Sequence, residues 1–406
     1  MRRMISICLM LLLSACGGGG GGGGDNLSNG GNGGSTSANS VAMTVDSGPS
    51  GVQGAFNIPY VSVTVCAPGS TSNCQTIDHV LVDTGSTGLR ILASALSAPL
   101  LAGLGSQQVS SRQVVECMQF VTSITWGAVK LADVKMAGKV ASSLPMQVIS
   151  DPVYTTIPSG CASRGTNAGS LTGLGANGII GVSQALQDCG GNCANSSLNS
   201  VYYLCAGASS CVGGAVPVSQ QVANPVAAFS GDNNGVLLQL PSVPVTGTAT
   251  ATGSLIFGIG TQSNNAIPGG AQAFPAANAG FTINTSYKGV SYSSFIDSGS
   301  NILFFPDNGI STCTVYSSTW FCPSSQQNLS AVLSSGSSSS TINFSVVSAQ
   351  YLTSSNNAAM PGIAAPASGS LSTQFDWGLP FFYGRSVFIG FVGGSNSLGS
   401  GPMYIF

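Results

Sequence analysis

The sequence predicts an all-β protein, either two globular units or one large β architecture, with an internal duplication, and three observations carry the prediction. Charged residues make up only 5% of the 406 positions. Gly, Ser, Thr, Asn and Val dominate instead, and β-branched residues broken by Gly and Asn suit many short strands with tight turns. No apolar run after the N-terminus is long enough to span a bilayer, so the apolar content belongs to a core. Finally, one phrase occurs twice, as Val80-Leu81-Val82-Asp83-Thr84-Gly85-Ser86-Thr87-Gly88-Leu89 and as Ser294-Phe295-Ile296-Asp297-Ser298-Gly299-Ser300-Asn301-Ile302-Leu303. Each copy is an apolar run ending in Asp, then a hydroxyl residue, Gly, Ser and a second apolar run. The chain has only 12 acids, so two in matched settings point to an internal duplication that pairs two carboxylates. Two carboxylates sharing one proton supply an acid and a base in a single site.

At the N-terminus, Arg2 and Arg3 precede the apolar stretch Met4 to Leu13, the pattern of a signal peptide over residues 1–15. Leu13-Ser14-Ala15-Cys16 resembles the lipobox of bacterial lipoproteins, which implies lipidation of Cys16. Gly17 to Gly24 follow directly, and residues 16–50 are read as the lipidated Cys and a Gly/Ser/Asn-rich tether. About 30 flexible residues reach roughly 30 Å. Gly17 after the Cys implies, by the lipoprotein sorting pattern, the outer membrane, facing periplasm or cell surface. The acyl chain anchors the protein without spanning the bilayer.

Without the two leader arginines the net charge goes from −2 to −2 − 2 = −4. The remaining basic residues are scattered and form no stripe for phosphates, which argues against nucleic acid as a partner. Ten cysteines remain after Cys8 and Cys16 are set aside. Several fall in close pairs: Cys66 with Cys74, Cys189 with Cys193, Cys205 with Cys211, Cys313 with Cys322; Cys117 and Cys161 remain. Loop-stapling disulfides in an oxidising compartment are expected. With His79 the only histidine and no Cys-x-x-Cys pair, no metal and no cofactor is expected.

Along the chain, Ile58 to Val65 alternates like a half-buried strand, and Thr76 to Val82 returns as the strand ending at Asp83. The second half repeats the plan with Phe281 to Tyr287, a Lys288-Gly289 turn, and Val290 to Ile296 leading to Asp297. The two Asp lie 297 − 83 = 214 residues apart, about one lobe with insertions. Helix signals are sparse. The Ser-rich stretch 323–341 is expected to be a surface loop with a short helical turn.

These residues resemble the pepsin family of aspartic proteases, which carries Asp-Thr/Ser-Gly-Thr/Ser in each of two lobes behind two apolar residues. Further segments are similar to the family's landmarks, in order. Trp126 to Val134 is similar to the strands returning from the flap. Gly178-Ile179-Ile180-Gly181 is similar to the segment backing the first active loop, Gly253 to Gly258 to the strand opening the second lobe, and Gly378 to Phe391 to the final strands. The resemblance covers residues 51–406, and also extends to an uncharacterised group of bacterial lipoproteins with a domain of unknown function. It implies an all-β, two-lobed pepsin-like (acid protease) β-barrel architecture with a central cleft, with lobes at 51–222 and 223–406.

The resemblance also implies roles. Asp83 and Asp297 would form the catalytic dyad, one carboxylate taking a proton from water and the other protonating the scissile carbonyl. Thr84 and Ser298 would cross-link the two loops beneath them, and Ser86 and Ser300 would bond the outer carboxylate oxygens. Gly85 and Gly299 would permit a tight, close-approaching backbone. Two departures stand out. The flap tip falls at Phe120-Val121-Thr122, where the family has Tyr-Gly, so Phe120 is the flap candidate. The second lobe has no clean apolar-apolar-Gly segment; Asp376-Trp377-Gly378 stands nearest and carries an extra acid.

Other readings are weaker. Asp-Thr-Gly-Ser and Asp-Ser-Gly-Ser are also ordinary turn sequences. Gly173 to Gly178 formally fits a dinucleotide fingerprint, but Ile-Ile-Gly follows where a helix is needed. A serine hydrolase would need His79 as its base, and that residue reads as structural. Arg90 either lines the cleft or faces solvent. The sequence therefore predicts a monomeric aspartic endopeptidase acting on a peptide or protein substrate, held at the membrane by its lipid. The alternative is a catalytically inactive pepsin-like lipoprotein serving as a binding or adhesion module at the cell surface.

Overall fold

A computed structural model describes residues 38–198, 200–276 and 280–406. The stretch read as a signal peptide, Cys8, Cys16 and the Gly run lie outside the described residues. Strands dominate, as one network of 18 strands and a separate seven-stranded sheet. No helix among the described residues is long and apolar enough to cross a membrane.

In the first half, Pro59–Cys66 pairs antiparallel with Cys74–Asp83, and the disulfide Cys66–Cys74 staples their loop. The chain turns at Thr84–Ser86 and leaves as Thr87–Leu92. Gly178–Val182 then inserts between these two, parallel to Cys74–Asp83 and antiparallel to Thr87–Leu92, with Gly181 opposite Asp83. The second half repeats the construction. Ile283–Tyr287 pairs with Val290–Ile296, Leu303–Phe305 leaves the second Asp loop, and Gln374–Trp377 inserts parallel to Val290–Ile296 and antiparallel to Leu303–Phe305. Trp377 lies opposite Ile296, and the Asp297 amide donates to the Trp377 carbonyl at 3.0 Å.

The apolar alternation of each strand is spent on a shared core. Val80, Val82, Leu89 and Ile180 fill it from the first half, and Ile296, Leu303, Phe305 and Trp377 from the second. Stacked Phe305, Phe375 and Trp377, with centroids 5.1 and 4.3 Å apart, back the second Asp loop. The Trp377 indole N–H donates to Thr285 Oγ1 at 2.9 Å, which leaves that large side chain no unpaired polar atom.

All ten described cysteines are paired: Cys66–Cys74, Cys117–Cys161, Cys189–Cys193, Cys205–Cys211 and Cys313–Cys322. Five disulfides are the mark of an exported protein.

Two expectations need correction. The tether does not run to residue 50, because Ser40–Val45 is a strand paired with Ala251–Phe257. Met43 and Val45 are buried, so a period-two pattern is hidden in the small-residue stretch, and the N-terminal chain is sewn to the second half. The stretch 323–341 is not a loop with a helical turn. Gln327–Ser335 and Ser338–Val346 form a hairpin whose Ala331, Leu333 and Ile342 face the core while its serines largely face water.

Candidate active site

The two Asp loops meet back to back through a reciprocal set of hydrogen bonds. The Thr84 amide donates to Ser298 Oγ at 3.1 Å, and the Ser298 amide to Thr84 Oγ1 at 2.9 Å. Each hydroxyl then donates across the junction, Thr84 Oγ1 to the Ile296 carbonyl at 2.9 Å and Ser298 Oγ to the Val82 carbonyl at 2.7 Å. Both hydroxyls are buried, so a missing partner on either side leaves an orphaned polar group. The arrangement fixes the two carboxylates against each other.

Asp83 accepts from the Gly85 amide at 2.8 Å, the Ser86 amide at 3.1 Å and Ser86 Oγ. Asp297 accepts from the Gly299 amide at 2.8 Å and Ser300 Oγ at 3.0 Å. Gly85 and Gly299 are exposed, Asp297 is largely buried and Asp83 is buried. The dyad therefore opens to solvent over the two glycines. Burial, then the Asp83 charge, pushes the Asp297 carboxyl up to about 8. An ordinary Asp would have lost its proton some four pH units earlier.

The glycines are required by the carboxylates themselves. A Cβ on Gly85 would lie 2.6 Å from Asp297 Cγ, and one on Gly299 would lie 2.5 Å from Asp83 Oδ1. Gly85→Ala and Gly299→Ala should each push the opposite carboxylate aside. Since small misplacements of reacting groups cost about a hundredfold, any reaction that uses both carboxylates should slow by roughly that factor with little change in Tm, read by turnover and thermal melting.

Asp376, the extra acid, belongs to the site. Its register place matches that of Ile179 in the first lobe: Ile179 lies opposite Leu81 and Arg90, and Asp376 opposite Phe295 and Phe304. Asp376 is 1% exposed. Its Oδ2 lies 2.6 Å from Ser300 Oγ, and its Oδ1 is buried without a partner. Ser300 has one hydroxyl proton and two carboxylate oxygens in reach, so one carboxyl must be protonated and donate back. Burial, then the Asp297 charge, raises Asp376 well above the carboxylate range. Ser300 Oγ thus bridges Asp297 and Asp376, and links the third carboxyl to the pair.

Phe120 sits at the hairpin turn between Arg112–Gln119 and Ser123–Met136. It packs on Tyr60, Leu81, Ala176 and Ile179, beside the strand that carries Asp83. This hairpin is held on both edges, by Tyr202–Cys205 and by Thr166–Asn167, and Cys117–Cys161 ties it to the following loop.

Arg90 neither lines a cleft nor faces solvent. Its guanidinium is buried, bidentate to Glu116 at 2.7 and 3.2 Å, with Asp188 at 3.0 Å and the Thr87 carbonyl at 2.7 Å. Burial alone would lower it, but Glu116 and Asp188 outweigh that and raise it. Burial and the Glu116 charge raise Asp188, as expected where two carboxylates share one cation. The cluster ties the first Asp loop to the Phe120 hairpin. Its sequence signal was that Glu116 is the chain's only Glu. His79 contacts Asp46 and Asp78 instead of the dyad, and Gly173 to Gly178 joins a short helical turn to a strand.

Fold and site together define an all-β, two-lobed molecule whose halves each present one Asp-hydroxyl-Gly-Ser loop to the other. Residues 35–406 match the family model described as a protein of unknown function, DUF3443, and the chain belongs to that family. No curated protein matches the sequence. Among solved structures, the chain is similar to an aspartic proteinase from Irpex lacteus, at 16% identity and a TM-score of 0.49, covering 90% of this chain and 96% of that one.

Proposed function

We propose that the protein is an aspartic endopeptidase, exported and anchored by lipid on Cys16 at the outer membrane, that cleaves extended peptide segments with apolar side chains near the scissile bond. Its lobes, 51–222 and 223–406, each supply one carboxylate, and it works as a monomer on peptide or protein substrates. One observation carries the reading: Asp83 and Asp297 interact with each other above a reciprocal Thr84–Ser298 cross-link. Two carboxylates so placed favour one shared proton over two charges. Asp297, raised to about 8, holds it and protonates the carbonyl oxygen of the scissile amide. Asp83, steadied by three donors, takes the proton of the attacking water. No covalent intermediate forms, and Phe120 closes over the bound segment as an aromatic wall.

The test is digestion of an unfolded protein by the purified chain from pH 3 to 9, read by mass spectrometry. Cleavage should persist to neutral pH and fall through about 8, as Asp297 loses its proton. A folded protein that cleaves nothing at any pH would transfer the site to peptide binding without turnover.

Asp376 gives a sharper expectation. Asp376→Asn retains an N–H donor for Ser300 and should keep kcat within about threefold. Asp376→Leu removes it and should cost about tenfold or more, since a lost hydrogen bond to a charged network is worth about 1.5–3 kcal/mol. Equal rates for the two variants would show that the third carboxyl has no part in holding Ser300.

A further inference from the structure

Far along the chain from either Asp loop, the edge of the seven-stranded sheet is open. Ser338–Val346 is its terminal strand, paired only with Gln327–Ser335. The odd-numbered residues turn their backbone outward: the Ser339 amide reaches Gln272 Oε1 at 3.2 Å, the Asn343 carbonyl accepts from Arg385 at 3.5 Å, and the Val347 amide reaches the Gly362 carbonyl at 2.9 Å. Between them, the outward amides of Thr341, Asn343 and Ser345 have no partner among the described residues, and Thr341 and Asn343 are exposed. Such an edge is a template for an added strand.

Two cavities run along this edge on either side of Arg385. One, of about 240 Å³, is walled by Phe344, Trp377, Phe381 and Tyr383. The other, of about 490 Å³, is walled by Ile342, Phe388 and Phe406. Arg385 lies between them, over the Phe381 ring at 4.7 Å, donating to the Phe381 carbonyl at 2.6 Å. It has no carboxylate partner among the described residues, as is also true of Arg112, Arg164, Lys130 and Lys135, whereas Arg90, Lys139 and Lys288 have one. Burial lowers its guanidinium, so an anion seated there would meet a poorly solvated cation.

We propose that this groove binds the C-terminal segment of a polypeptide with an apolar last residue. The segment adds as a strand to the Thr341–Asn343 edge, and its α-carboxylate lies on Arg385. The open amides supply main-chain bonds, the larger cavity takes the apolar side chain, and the guanidinium fork takes two carboxylate oxygens.

The test uses fluorescein-labelled GSTVF with a free α-carboxylate, followed by fluorescence anisotropy on the full chain carrying Asp83→Asn, so that any turnover is silenced and the outcome is independent of the proposed peptidase activity. Saturable binding is expected, weakened about tenfold or more by amidating the peptide or by Arg385→Met. Thr341→Pro, which removes an outward amide that makes no native bond, should weaken it as much while leaving Tm unchanged. No binding, or equal binding of acid and amide, would overturn the proposal. Laurate binding that Arg385→Met abolishes but Thr341→Pro spares would overturn it too, by making the site one for small carboxylates. Self-association through this edge, blocked by Thr341→Pro without any effect of peptide, would assign the edge to a second copy and likewise refute it.

Discussion

Asp83→Asn is expected to reduce kcat/KM for peptide cleavage by about a thousandfold or more, with the fold intact. The Asn cannot take a proton from water, and general acid–base groups contribute about 10² to 10⁴ each. Asp297→Asn should cost as much, since the same proton is then missing from the carbonyl oxygen. The pair is also a stability device with a definite sign. Asp297 rises in the folded state from 3.8 to about 8, so the folded protein retains a proton that the unfolded chain releases. Its contribution is full below pH 3.8 and is lost as pH rises through about 8. Wild-type stability should therefore decline across that window, and the Asp297→Asn variant should decline less. Urea unfolding at several pH values reads this directly. Unaltered turnover in either variant would remove the dyad from the mechanism.

Arg90→Met is expected to be the most destabilising single change, at about 3–5 kcal/mol. The side chains of Arg90, Glu116 and Asp188 are all 0% exposed, so the substitution leaves two buried carboxylates facing each other with no cation. Tyr202 OH donates to Asp188 at 2.5 Å and cannot neutralise either of them. Lys should not rescue it, because a point charge cannot hold both oxygens of Glu116 and the Thr87 carbonyl at once. The loss should shrink at low pH, where the orphaned carboxyls take up protons. Equilibrium urea unfolding at pH 7 and pH 4 measures both effects, and a loss under about 1 kcal/mol would show the cluster to be a solvated surface pair. Because Arg90 also anchors the Thr87 carbonyl, its loss should loosen the first Asp loop.

Much of this design could be read in the chain itself, and the limits have physical causes. The Asp loops were legible because their chemistry is local: a hydroxyl, a Gly and a Ser at fixed steps from Asp83 and Asp297 make most of the hydrogen bonds around each carboxylate. The disulfides were legible because four of the five close short loops. Arg90 was not, since its partners lie 26 and 98 residues away and nothing in Gly-Leu-Arg-Ile tells a buried cation from an exposed one. Asp376 was visible as an anomaly, but its link to Ser300 depends on a register that only the folded sheet sets. The Gln327–Val346 hairpin was obscured by composition, because serine on the wet face hides the apolar alternation of Leu329, Ala331 and Leu333. The same effect hid Ser40–Val45.

The most direct test of the account is digestion of an unfolded protein in H₂¹⁸O by wild type, Asp83→Asn and Asp297→Asn at pH 6, with the products read by mass spectrometry. The shared-proton dyad predicts cleavage by wild type with one ¹⁸O in each new carboxylate, delivered by direct attack of water, and none above background in either variant. Cleavage that survives both substitutions, or a folded wild type that cleaves nothing, would contradict it.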